Sequence, residues 1–145
     1  MTGPLKIRSR PLRSAAIELL AGADLPVSDL TDEHLEHFFF TGSDSSPTGL
    51  VGLEIHGTDA LLRSLVVCAP ARAAGLGSVL VEHAEDYARS NQVHAIYVLT
   101  TTAESFFERR GYRRIDRAQA PPSIRSTREF AALCPASSTL LIKQF

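Results

Sequence analysis

The sequence predicts an α/β fold of the α+β type, built on a mixed sheet, from three observations. A buried strand, a glycine-containing turn and an amphipathic helix follow one another between Ala60 and Arg89. A second strand, Leu50 to His56, precedes the first across the short Gly57-Thr58-Asp59 link, and a further apolar strand, Ala95 to Leu99, returns after the helix. A strand reached through a tight turn is antiparallel to its neighbour, whereas one reached through a helix is parallel.

Taken in order, the elements are short and clearly punctuated. Leu5 to Ser9 predicts a first strand, and Leu12, Ala15, Ala16, Leu19 and Leu20 share the face of a helix over 12–20 that Gly22 and Pro26 break. Leu30 to Leu35 predicts a helical turn, and His37 to Phe40 an aromatic strand running into the turn-rich residues 41–47. Leu61, Leu62, Leu65, Val66 and Val67 form an apolar run too short for a helix, ended by Cys68-Ala69-Pro70. From Gly75 the period changes. Leu76, Val79, Leu80, Ala84, Tyr87 and Ala88 mark an apolar helical face, with Glu82, His83, Glu85, Asp86 and Arg89 on the charged one. Thr101 with Glu104 has capping-box spacing before a short helix carrying Phe106 and Phe107, and Gly111 supplies its stop before a strand from Tyr112. Ser126 with Glu129 repeats that spacing before a helix around Phe130 to Leu133, ended by Pro135, and a last strand spans Thr139 to Ile142.

Composition bounds the function. The 145 residues are 44% apolar, which suits a single domain spanning 1–145 with a substantial core. Fifteen Lys plus Arg against sixteen Asp plus Glu leave a net charge of -1, so no global field favours nucleic acid or an anionic membrane. The arginines at 109, 110, 113, 114 and 117 read as a solvated basic edge. No run approaches the roughly 20 apolar residues that span a bilayer, and Met1 to Lys6 lacks the apolar stretch of a signal peptide, so the expectation is a soluble cytoplasmic protein. Cys68 and Cys134 share no C-x-x-C pair or local histidine set, so neither a disulfide framework nor a metal is expected.

The most informative stretch is Arg72-Ala73-Ala74-Gly75-Leu76-Gly77-Ser78, where small residues open a helix. The first N-H groups of a helix have no intrahelical partner and carry the positive end of its dipole, so such a junction can hold a phosphate or serve as a tight turn. R-x-x-G-x-G after an apolar strand resembles the acyl-CoA pyrophosphate loop of the GNAT N-acetyltransferases. Thr100 to Tyr112, TTTAESFFERRGY, resembles the next strand-to-helix segment of that family, with Ala103, Phe106, Gly111 and Tyr112 in matching places.

The resemblance implies the GNAT fold: a mixed, mostly antiparallel sheet with a splayed parallel central strand pair and helices on both faces. It implies direct transfer from acetyl-CoA, the cosubstrate, to a small-molecule amine in a ternary complex, with no metal, and it would allow a homodimer. Leu65, Val66 and Val67 would present backbone groups to the pantetheine arm, the Val67 N-H polarising the thioester carbonyl. Arg72, Ala73, Ala74, Gly75, Leu76, Gly77 and Ser78 would hold the pyrophosphate, and Thr100, Ser105 and Phe107 would border the coenzyme. The amine must lose a proton, for which Glu54 is the candidate base, although strand alternation equally explains it as an outward-facing residue; His56 is the weaker alternative. Phe107 stands where the family often has a proton-donating Tyr, Thr100 where it has Asn, and Ala73 where a glycine is frequent. Arg125 and Arg128, between the last two strands, are the candidate acceptor-binding residues.

LLRSLVV, YVLTTTAESFFERRGY, APPSIRSTREFAALCP and the terminal strand together resemble the arsenic-resistance N-acetyltransferase subfamily. That implies acetylation of a small amine in a resistance context, while two distant cysteines cannot supply a three-thiolate arsenic site. The alternative reading, motivated by Phe107, is a noncatalytic acyl-CoA-binding or regulatory module.

Overall fold

The computed structural model describes residues 6–23, 25, 27–68, 75–128, 130–131 and 138–145. In chain order these form β1 (Arg8–Ser9), α1 (Arg13–Gly22), a 3-10 turn at His34–His37, β2 (Phe38–Gly42), β3 (Pro47–His56), β4 (Asp59–Val67) and α2 (Leu76–Ser90). There follow β5 (Ala95–Thr100), α3 (Glu104–Glu108), β6 (Arg113–Ile115), a 3-10 turn at Arg117–Gln119, α4 (Pro122–Arg125) and β7 (Thr139–Gln144). The seven strands are ordered β1-β2-β3-β4-β5-β7-β6. As expected, β5 runs parallel to β4, from Asp59↔Ala95 to Leu62↔Val98, while β7 is antiparallel to both β5 and β6. The hairpin between β3 and β4 turns on Gly57 and Thr58 alone; Gly57 lies at φ +66, a left-handed conformation that glycine adopts without Cβ strain.

The chain divides into two compact units, Met1–Leu53 with Ser64–Asp86, and Glu54–Arg63 with Tyr87–Phe145. In the first, Ala16 and Leu20 of α1 pack with Leu30, Leu35, Phe38, Phe40, Leu50 and Val66. Glycine is disfavoured in strands, yet β3 carries Gly49 and Gly52. A Cβ at Gly52 would overlap the fully buried ring of Phe38, its register partner. In the second unit, Leu61, Ala95, Tyr97, Leu140 and Ile142 bury against Ala120 and Ile124, from the segment between β6 and β7.

Several boundaries differ from expectation for physical reasons. Helix α1 continues through Gly22, the Ala23 N-H bonding back to the Leu20 carbonyl at 3.1 Å. The first capping box does not form. Strand β5 runs to Thr100, whose hydroxyl accepts the N-H groups of Thr102 at 3.3 Å and Ala103 at 2.9 Å, and Ala103 is the N-cap of α3. Gly111 ends this segment at φ +92, as expected, with the Tyr112 N-H reaching the Phe107 carbonyl at 3.1 Å. A four-residue helix that the sequence did not predict, α4, opens at Pro122, whose fixed φ suits a first helical position, and ends before Ser126; it is distinct from the helix expected around 130–133. Thr127, not Ser126, accepts the Phe130 N-H at 3.3 Å, while Glu129 and residues 132–137 lie outside the described residues. The buried stripe of α2 is rotated from the expected one: Val81 is buried, Val79 is exposed, and Glu85, placed on the charged face, is buried.

Candidate functional site

Strand β4 changes character after the parallel register reaches Leu62. Ser64 lies at φ 60, a left-handed conformation inside a strand in a residue that carries a Cβ. Such a residue costs of order 1 kcal/mol or more and persists only where the surroundings fix it. Here Arg63 and Ser64 are both buried, at 3% and 7% exposure. Beyond this point β4 carries Leu65, Val66 and Val67 to its end, with Val66 and Val67 buried. The Cys68 N-H then bonds to the Thr48 carbonyl at 2.9 Å, fixing the end of β4 to the start of β3.

Arg72, Ala73 and Ala74 lie outside the described residues. Gly75 stands at φ +75 with open space where a Cβ would project, and its carbonyl accepts the Val79 N-H at 3.4 Å as the helix begins. Leu76 is buried, whereas Gly77 and Ser78 are half-buried. The first turns of α2 press on β3: a Cβ on Gly49 would come within 2.9 Å of Leu80 Cδ1 and 3.0 Å of Leu76 Cδ2. A bare, left-handed glycine at the mouth of a helix suits close approach of an anion, so the described part of the loop fits a pyrophosphate.

Glu54 is not the outward-facing residue that alternation allowed. It is 8% exposed, and its Oε2 lies 3.7 Å from Nη1 of Arg63, whose side chain is fully buried. His56, two residues on, is half-buried, and its Nε2 is covered without a hydrogen-bond partner among the described residues. Phe107 lies in the core, its ring edge-on to Phe106 at 5.1 Å and to Tyr112 at 5.3 Å. Thr100 spends its hydroxyl on the turn before α3, while Ser105 is exposed. Arg125 and Arg128 are exposed, Arg125 closing α4. The stretch Leu65 to Val67 and the described loop residues therefore lie in one compact unit, and Glu54, Thr100, Ser105, Phe107, Arg125 and Arg128 in the other.

Arg63, Ser64 and Gly49 went unread in the sequence. The two glycines in PTGLVGLE signalled a close approach, but a buried arginine and a left-handed serine leave no signature in hydrophobic periodicity. His83 is a further surprise. Expected on the charged face of α2, it meets the Phe39 ring at 4.7 Å, and burial holds its pKa below the ordinary 6.5, partly offset by Asp86.

The model of the acetyltransferase (GNAT) family matches residues 11–112, taking in β4, α2, β5 and α3. The chain belongs to the GNAT family. An uncharacterized N-acetyltransferase of Chlorobaculum tepidum is 32% identical over 93 residues, which are 63% of this chain and 59% of that protein. The GNAT chain thus spans less than two thirds of that relative's length. N-acetylglutamate synthase from Neisseria gonorrhoeae, complexed with coenzyme A and N-acetyl-glutamate, superposes with a TM-score of 0.80 at 19% identity, over 99% of this chain and 36% of that one. The PaiA N-acetyltransferase of Thermoplasma acidophilum, in complex with coenzyme A, superposes with a TM-score of 0.69 at 15% identity over the whole of both chains. These likenesses show the GNAT fold, with its parallel β4 and β5 pair, and no helix among the described residues is long and apolar enough to cross a membrane.

Proposed function

We propose that the chain is an acetyl-CoA-dependent N-acetyltransferase that acts on a small amine by direct transfer, working as one domain. The observation that carries this reading is the left-handed, unobstructed Gly75 opening α2 after β4, within the stretch that the GNAT family model matches. Coenzyme A bound to relatives of the same fold supports the cosubstrate.

In this reading the residues from Arg72 to Ser78 hold the pyrophosphate through backbone N-H groups and the Arg72 guanidinium. The end of β4, Leu65 to Val67, aligns the pantetheine arm. The Val67 N-H faces the thioester oxygen, where charge develops; one such donor contributes on the order of 3 kcal/mol. Glu54 takes the proton released as the amine nitrogen bonds to the acetyl carbon and the carbon-sulfur bond breaks, its electrons passing to sulfur. The Arg63 guanidinium, 3.7 Å from Glu54 Oε2, keeps a positive charge beside that carboxylate. Phe107 has no proton to give, so the thiolate leaves unassisted or takes its proton from water. Thr100 and Ser105 border the coenzyme, and Arg125 and Arg128 bind an acidic group on the acceptor. The arsenic-resistance subfamily, a resistance role, a cytoplasmic setting and a homodimer complete the proposal, resting on sequence resemblance.

Calorimetry with coenzyme A and an acetyl-CoA consumption screen against small amines, with product masses, test the proposal together. Gly75→Asp should weaken coenzyme binding at least tenfold by placing strain, bulk and negative charge at the loop, and a folded variant with unchanged affinity would remove this placement. Glu54→Gln should lower kcat about 100-fold at unchanged coenzyme affinity. With an acceptor in hand, Arg125→Ala or Arg128→Ala should raise its KM; unchanged KM in both rejects their role. The buried, protonless Phe107 favours a second reading, a noncatalytic acyl-CoA-binding module, which binding without turnover of any amine would establish.

A further inference from the structure

Gly49 sits near the start of β3, far in sequence from the loop, and is not among the glycines with positive φ. Its backbone therefore accepts any residue, and the reason for glycine must be space. A Cβ there would meet three atoms: Leu80 Cδ1 at 2.9 Å, Leu76 Cδ2 at 3.0 Å and Thr41 Oγ1 at 3.2 Å. None can swing aside freely. Leu80 is fully buried, Leu76 is 5% exposed, and the Thr41 hydroxyl is 2.9 Å from the Thr48 hydroxyl in a hydrogen bond. Close-packed interiors transmit such a misfit to whatever can move as a body. Here that body is the first two turns of α2, since Leu76 is the first residue of the helix and Gly75 precedes it.

We propose that Gly49 is a positioning residue for coenzyme A: its missing side chain lets α2 settle against β3, which aims the helix's first N-H groups at the pyrophosphate. The inference rests on the placement of the coenzyme proposed above and adds a residue that touches neither coenzyme nor acceptor. Gly52 supplies the contrast within the same strand. Three residues on, it points to the opposite face, where it gives room to the Phe38 ring of β2 and not to α2.

The test is calorimetry with coenzyme A on the full chain, beside thermal melts. Gly49→Ala should raise the coenzyme Kd about tenfold. Adding Leu80→Val, which deletes the δ-carbon 2.9 Å from the new Cβ and leaves the loop untouched, should return it to within about threefold of the wild-type value. Gly52→Ala should lower the melting temperature while leaving the Kd of the folded protein unchanged. Equal Kd values in wild type and folded Gly49→Ala overturn the proposal, as does a weakened Kd that Leu80→Val fails to restore. Should Gly49→Ala alone not fold, the double variant with Leu80→Val must recover both fold and coenzyme binding; a folded double variant that binds weakly is equally fatal. A wild-type protein with no affinity for coenzyme A sinks the proposed function itself and this inference with it, an outcome distinct from the others.

Discussion

Replacing Arg63 by Met should unfold this protein more readily than almost any other single change in β4, and the expected size follows from burial. The Arg63 side chain is fully buried, Glu54 is 8% exposed, and their nearest charged atoms are 3.7 Å apart. Removing the guanidinium takes away the positive charge facing a buried carboxylate, and breaking buried pairs in this way costs about 3–5 kcal/mol. For a domain of this size each kcal/mol lowers the melting temperature by roughly 2–4 °C, so a fall of about 10 °C is expected. The double variant Glu54→Met/Arg63→Met should do better than the single one, because it removes both desolvated charges; the interaction across the double-mutant cycle should be about 3 kcal/mol. Urea denaturation followed by circular dichroism at constant m-value measures all four corners of the cycle. A loss under about 1 kcal/mol in Arg63→Met, or strictly additive effects, would refute the reasoning and show that the two charges are not coupled.

Two further outcomes probe α2 and α3. Because burial lowers the His83 pKa in the folded protein, the unfolded chain binds more protons just below pH 6.5; stability is complete above that value and declines as pH falls towards the folded pKa. His83→Asn should flatten the melting temperature between about pH 7.5 and 5.5, and an unchanged slope would assign the acid sensitivity elsewhere. Phe107→Leu should cost about 1 kcal/mol yet keep measurable turnover, since the ring packs against Phe106 and Tyr112 and holds no exchangeable proton. A folded Phe107→Leu that binds coenzyme A normally but is inactive would show a chemical role for the aromatic ring.

What the sequence disclosed, and what it hid, divide along a physical line. The β3 and β4 hairpin, the return of β5 after α2 and the stop at Gly111 all follow from local chemistry: glycines that relieve strain, apolar runs and their period. Periodicity reports which face is buried, so it erred where tertiary contacts rotate that face, as with Val79 and Glu85 on α2. It also could not say that the carboxylate of Glu54 would find a guanidinium, because Arg63 lies on the next strand and the pairing is a matter of fold. Ser64 was beyond reach for the opposite reason. Its left-handed backbone is imposed by its surroundings on a residue with no intrinsic liking for it, whereas Gly75 advertised the same conformation openly.

The order β5-β7-β6 has a consequence for how the second unit is assembled. Among the described residues, strand β6 has no partner in the sheet except β7, with Arg113 opposite Ile142 and Ile115 opposite Leu140. Strand β7 therefore lies between two strands made before it, pairing with Ala95–Thr100 on one side and Arg113–Ile115 on the other. As a ribosome delivers the chain, β5 waits with an open edge of backbone donors and acceptors while α3, β6 and α4 emerge behind it. An open, apolar edge such as Ala95-Ile96-Tyr97-Val98-Leu99 is the kind that recruits strands from other chains. The arrival of Thr139, Leu140 and the residues after them is thus also the moment at which the nascent protein stops being a hazard to its neighbours.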